Sequence, residues 1–153
     1  MDDNEKALIA KRYLSQIKFI EQNINQRQQE IQMLYLAVSG VSAIRYDKDH
    51  IQTSAENHVE NTLIRIEQIE DDIRRQVEVL AAFKHIIINQ LQSMDINNQD
   101  MSNVLFERYI NLNNRRFRSW YEISNSMGFT ERHIRRLHKQ ALIIFFDSFL
   151  NNR

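Results

Sequence analysis

Residues 119–142 read SWYEISNSMGFTERHIRRLHKQAL, and each boundary within them carries its own chemical signal. Ser119 followed by Glu122 fits a capping box, in which the serine covers an orphan backbone donor and the carboxylate reaches back. The helix so opened ends at Met127-Gly128, where glycine can take the left-handed conformation that closes a helix. Thr130 caps the next helix, with Phe129 ahead of it and Ile134 inside it as a hydrophobic staple. Trp120, Ile123 and Met127 recur at helical spacing on one face, and Ile134, Leu137, Ala141 and Leu142 do so on the next helix. These faces are expected to close a small core with Leu105, Tyr109 and Phe129. Two short helices joined by a glycine-containing turn, the second strongly basic, make the helix-turn-helix pattern.

Upstream, Leu112 to Arg118 is an Asn-rich basic loop, and Val104-Leu105-Phe106 with Tyr109-Ile110 forms one amphipathic helix. Asp95 to Asp100 breaks the pattern as a short linker. Downstream, Ile143-Ile144-Phe145-Phe146 with Phe149-Leu150 is more apolar than a free helix end, so it packs on its own domain or on a partner.

The front of the chain has a different grammar. Ala10, Tyr13, Ile17, Ile20, Ile24, Ile31, Leu34 and Val38 follow steps of three and four, interrupted at Arg27. Such a heptad stripe must pack against another helix. A helix from about Asp3 to Val38 would be ~54 Å long, and it is expected to end at Ser39-Gly40. Val41 to Thr53 reads as a loop, and Ser54 as the N-cap of a second helix. That helix carries Val59, Leu63, Ile66, Ile73, Val77, Leu80, Ile87, Leu91 and Met94. Glu70 and Lys84 fall in its register, with Ile69 and Phe83 beside them. The expected fold is therefore all-α: a long antiparallel helical hairpin, coiled-coil-like, over residues 1–95, then a small helix-turn-helix domain over 100–150. Two helices bury only one stripe each, so a homodimer forming a four-helix bundle is the expected extension.

Composition narrows the function. The 153 residues include no Cys, no Pro and only two Gly, Gly40 and Gly128. No disulfide, thiolate zinc site or catalytic thiol is available, and the glycines are too far apart for a phosphate-binding loop. The acidic start, Met1-Asp2-Asp3-Asn4-Glu5, argues against a secretory signal, and no apolar run approaches the ~18 residues of a membrane span. A cytoplasmic protein with no membrane partner is expected. Net charge is zero, yet residues 1–99 carry −4 and residues 100–153 carry +4. A polyanion would therefore meet the back half.

The exposed side of the second short helix holds Glu131, Arg132, Arg135, Arg136 and Lys139, with His133 and His138 between them. Arg132, Arg135 and Arg136 are the candidates for base or phosphate contact on double-stranded DNA. His133 belongs to the same candidate surface. Arg115, Arg116, Arg118 and Lys139 are candidates for phosphate, and Thr130 and Ser119 for donors at helix N-termini.

These residues resemble a known family. Leu105-x-x-Arg108-Tyr109-Ile110, Trp120-x-Glu122-Ile123, Met127-Gly128-Phe129-Thr130, Arg132-x-Ile134-x-Arg136-Leu137-His138 and Ala141-Leu142 look like region 4 of sigma-70-type factors, which recognises the promoter −35 element. More closely, nearly the whole chain resembles small phage and prophage proteins of low-GC Gram-positive bacteria. In that family a helical hairpin precedes a region-4-like domain, and the loop resembles Ile51-Gln52-Thr53-Ser54. The family is grouped loosely with ArpU- and RinA-type regulators of phage late genes. The resemblance implies a DNA-binding transcription regulator, with RNA polymerase as a further partner. No segment resembles sigma region 2, and the loop between Tyr109 and Trp120 is longer and more basic than in a minimal region 4. The chain is thus not a stand-alone sigma factor.

Two other readings compete. A DNA-packaging protein of the small-terminase kind also joins a helix-turn-helix to an oligomerising helical segment, but in the reverse order. An interaction protein would use the hairpin to hold RNA polymerase or a host factor. No enzyme, cofactor or metal site is expected. Glu67, Glu70, Asp71 and Asp72 with Arg74 and Arg75 read as a salt-bridged helix face, while His50, His58, His133 and His138 have no ligand spacing.

Overall fold

A computed structural model describes residues 1–44 and 49–151, and every regular element among them is helical. In chain order these are α1 (Asp3–Leu14), α2 (Gln16–Ile44), α3 (Asp49–Gln92), a 3₁₀ turn (Ile96–Asn98), α4 (Gln99–Leu105), α5 (Trp120–Met127) and α6 (Glu131–Phe145). π turns, Phe106–Ile110 and Phe146–Leu150, prolong α4 and α6.

The N-terminus opens with a reciprocal capping box. Asp2 Oδ1 accepts from the Glu5 N–H at 2.8 Å, and the Asp2 N–H donates to Glu5 Oε2 at 3.2 Å. The first long helix is not continuous as expected, because Ser15 interrupts it with ψ of −11°. Its expected end at Ser39-Gly40 also moves, since Gly40 lies inside α2. α3 begins at Asp49, so Ser54 is interior to a helix and not its cap. Residues 45–48 of the expected loop lie outside the described residues. No proline stands between residues 38 and 54 to stop either helix, and one helical glycine costs only about 1 kcal/mol against alanine.

The chain divides into two compact units, Met1–Glu21 with Leu80–Arg153, and Gln22–Val79. The division does not fall at the linker expected between residues 95 and 100. In the first unit, Ala10, Leu14, Ile17, Ile87 and Leu91 share one core with Leu105, Tyr109, Ala141, Leu142, Phe145, Phe146 and Leu150. A second cluster joins Val104, Ile123, Ile134 and Leu137, with Trp120, Met127 and Phe129 packed at its edge. Leu105, Tyr109, Ala141 and Leu142 were expected with Phe129 in a self-contained core, and instead they pack with residues from the front of the chain. The reason is length. The 15-residue α6 outruns the 8-residue α5, and its second half needs another apolar surface, which α1 supplies. The apolar tail at Phe145, Phe146 and Leu150 is thereby buried in its own unit.

Polar contacts fasten the same unit. Lys6 Nζ reaches Asp147 at 3.0 Å, Lys84 Nζ reaches Glu21 at 2.7 Å, and Ser102 Oγ donates to the Leu91 carbonyl at 2.9 Å.

In the second unit, ion pairs join α2 to α3. Arg27 meets Asp72 at 3.3 Å, and Glu30, three residues later, meets Arg65 at 3.3 Å, earlier in α3. The stripe of α3 keeps most of the expected positions, with Ile66, Ile87 and Leu91 buried, but Leu63 and Val77 are 46% and 48% exposed while Thr62 and Ile69 are buried. Thr62 is tolerated there because its hydroxyl donates to the His58 carbonyl at 2.8 Å. Arg27, the polar interruption in the first stripe, holds both Glu30 (3.0 Å) and Asp72, a polar pairing of the kind that specifies register.

Candidate nucleic-acid interface

Helix α6 is set by its start and sorted by its period. Gly128 adopts φ of +73°, the left-handed conformation that ends α5, and its N–H donates to the Ser124 carbonyl at 2.9 Å. Two residues later Thr130 Oγ1 accepts from the His133 N–H at 3.2 Å and opens α6. With Ile134, Leu137, Ala141, Leu142 and Phe145 turned inward, the helical period leaves Arg132, Arg135, Arg136 and Lys139 exposed on the outer side. His133 sits among them, its ring 4.9 Å from Phe129 and its Nδ1 accepting from Arg136 Nη2 at 2.7 Å. Arginine can only donate, so Nδ1 is the acceptor and steers the Arg136 guanidinium.

The basic loop is a tight turn. Asn113 and Arg116 exchange backbone hydrogen bonds of 2.8 and 3.0 Å around Asn114 and Arg115, whose φ values are +51° and +63°. Positive φ at both central residues is the type I′ pattern. Asparagine tolerates it; an arginine there stores about 1–2 kcal/mol, strain of the kind that gathers at functional sites. Arg115 and Arg116 are exposed on this turn.

Arg118, a candidate for phosphate contact, is engaged within the protein. Its Nε donates to the Asn111 carbonyl at 2.7 Å, its Nη1 lies 3.5 Å from Glu122, and its own carbonyl accepts from Arg108 Nη1. The guanidinium clasps the loop. Glu122 is drawn to Arg118, while Ser119 Oγ still caps α5 by accepting from the Glu122 N–H at 3.1 Å.

Behind the exposed cations stands a ladder of rings and charges that no local period reveals. Lys18 Nζ lies 4.2 Å from the Phe117 ring centre, Arg108 lies 4.9 Å from Phe117 and 4.2 Å from Trp120, and Arg135 lies 6.0 Å from Trp120. Cations over aromatic faces are attracted by the ring quadrupole, so the ladder holds Arg135 from behind. Burial disfavours the charge on Arg108 and Arg135 adds repulsion, although nearby Tyr109 offsets part of this.

His138, read from the sequence as part of the basic surface, is turned inward. Its Nε2 and the Tyr109 hydroxyl share a 2.7 Å hydrogen bond, and its ring is 4.7 Å from Trp120. Burial, reinforced by Arg108 and Lys11, pushes its pKa down to about 3, so the ring is neutral. Burial likewise raises the Tyr109 phenol above its ordinary value.

In the acidic cluster of α3 the two aspartates lie in ion pairs: Asp71 with Arg74, and Asp72 with Arg27 and with Arg75 at 3.7 Å. Among the described residues no group of three or more His, Cys, Asp or Glu is placed to hold a metal ion. Among the same residues no helix is long and apolar enough to cross a membrane. Compared with family models, curated proteins and solved structures, the chain matches none.

Proposed function

We propose that this chain is a sequence-specific transcriptional regulator that binds double-stranded DNA, with α5 and α6 acting as a helix-turn-helix and α6 as its recognition helix. The observation that carries the reading is the exposed row Arg132, Arg135, Arg136 and Lys139 on a helix whose start is set by Thr130 and Gly128. Arginine and lysine there suit base edges and phosphates. The strained turn bearing Arg115 and Arg116 supplies phosphate contacts beside it. The sequence resemblance to small phage and prophage proteins with a sigma-region-4-like domain points to phage or prophage genes, with RNA polymerase as a further partner. Helices α2 and α3 act as an antiparallel hairpin whose second copy makes a dimer. Met33, Leu36, Leu63 and Ile64, all at least 46% exposed, support that pairing. Two copies would present two recognition helices to paired half-sites.

Fluorescence anisotropy against DNA fragments tiling the source genome, repeated over a salt series, tests the proposal. One fragment is expected to bind far above the rest, with affinity falling steeply as salt rises. Arg132→Ala and Arg135→Ala are each expected to weaken that binding by about 1–3 kcal/mol without changing the helical content. Equal binding by the wild type and both variants would remove α6 as the reader.

A further inference from the structure

The charge balance of the sequence puts every DNA contact in the back half of the chain, yet the first unit brings part of the front half to the same place. Lys18, in α2, holds its ammonium 4.2 Å above the ring of Phe117, the residue next to Arg116. Four ladder links of 4.2, 4.9, 4.2 and 6.0 Å then place Lys18 Nζ at most about 19 Å from the Arg135 guanidinium carbon. A major groove is about 12 Å wide, so a separation within that bound suits a phosphate row flanking the groove.

Charge around the ladder is poorly compensated. Lys18, Arg108, Arg118 and Arg135 are gathered there, and among the described residues the carboxylate that pairs with any of them is Glu122, on Arg118. An ammonium resting on an aromatic face without a carboxylate keeps its other donors for an anion.

We propose that Lys18, beside the turn that bears Arg116, is a second phosphate-binding element that grips the backbone of double-stranded DNA next to the groove entered by α6. The inference rests on the DNA-binding reading above and extends it to a residue that precedes the helix-turn-helix by about a hundred positions. The front of the chain is then part of the DNA interface and not only an arm for self-association.

The test is the salt dependence of binding to a mixed-sequence 30-base-pair duplex, which reports phosphate contacts without requiring the operator. Each phosphate contact contributes about 0.9 to the slope of log affinity against log salt. Lys18→Gln is expected to lower the slope by about 0.9. Lys18→Arg should restore it, which excludes a merely structural loss. Arg75→Gln, in the second unit, should leave the slope unchanged. If the wild type binds and Arg135→Ala weakens binding, but Lys18→Gln keeps the full slope, this inference fails and the recognition-helix reading stands. If the wild type does not bind the duplex at any salt concentration, both fail together.

Discussion

His138 makes an internal demand on a surface rich in positive charge. Its ring is enclosed by Tyr109 and Trp120, with Arg108 and Lys11 adding repulsion, and its pKa falls to about 3. In the unfolded chain it titrates near 6.5, so between these values the unfolded state binds the extra proton. The stabilisation from the neutral ring is complete above pH 6.5 and is lost as pH falls toward 3, by about 1.4 kcal/mol per pH unit at most. His138→Gln is expected to be less stable than wild type at pH 7 but to lose less stability between pH 6.5 and 4. Urea unfolding at several pH values checks this, and parallel profiles would show that His138 does not carry the proton. From the sequence, His138 was indistinguishable from its charged neighbours. Its burial depends on Tyr109, 29 positions away, and no local pattern encodes that meeting.

The two glycines show how element ends are decided. Gly128 has φ of +73° with nothing within 4 Å of an added Cβ, so a side chain there meets backbone strain and no clash. Gly128→Ala is expected to cost about 1 kcal/mol, and Gly128→Asn less, because asparagine tolerates the left-handed region. Gly40 is also open but helical; there Gly40→Ala should add about 0.5–1 kcal/mol of helix stability. Opposite signs in chemical denaturation would establish one glycine as a terminator and the other as a helix residue. Equal destabilisation by both alanines would contradict the continuity of α2. The terminator was readable because the flanking Ser119, Thr130 and Phe129 agree with it. The helix residue was misread because the sequence around Gly40 contains no second signal.

Taken as a whole molecule, the chain shares its main core between its two ends. Ala10, Leu14 and Ile17 cover Leu105, Tyr109, Ala141, Leu142 and Phe145. An isolated fragment of residues 100–153 would leave that surface uncovered, and it is expected to lack the sharp, dispersed amide NMR spectrum of a folded domain. A folded fragment would restore the boundary at residues 95–100. Within the full chain, Leu14→Ala should cost about 2–5 kcal/mol, whereas Leu36→Ala, at a side chain 73% exposed, should change monomer stability by less than about 0.5 kcal/mol. If dimers form through that exposed side, Leu36→Ala should instead lower the midpoint of dissociation on dilution.

Helical class, the heptad stripe of α2 and the caps of α5 and α6 are legible in the order of residues, because period, Gly conformation and side-chain capping act over a few positions. The exposed row on α6 follows from the same 3.6-residue period once its apolar side is known. Contacts between distant positions decide the rest. Whether α3 buries Thr62 or Leu63 depends on which helix faces it, since both fit a heptad. Whether Arg118 meets solvent or clasps a loop depends on the carbonyl of Asn111 and on Glu122. The ladder from Lys18 to Arg135 joins residues from four helices and a loop. Its attractions act through space, so only tertiary packing, which brings those faces and charges within a few ångströms, could assemble it.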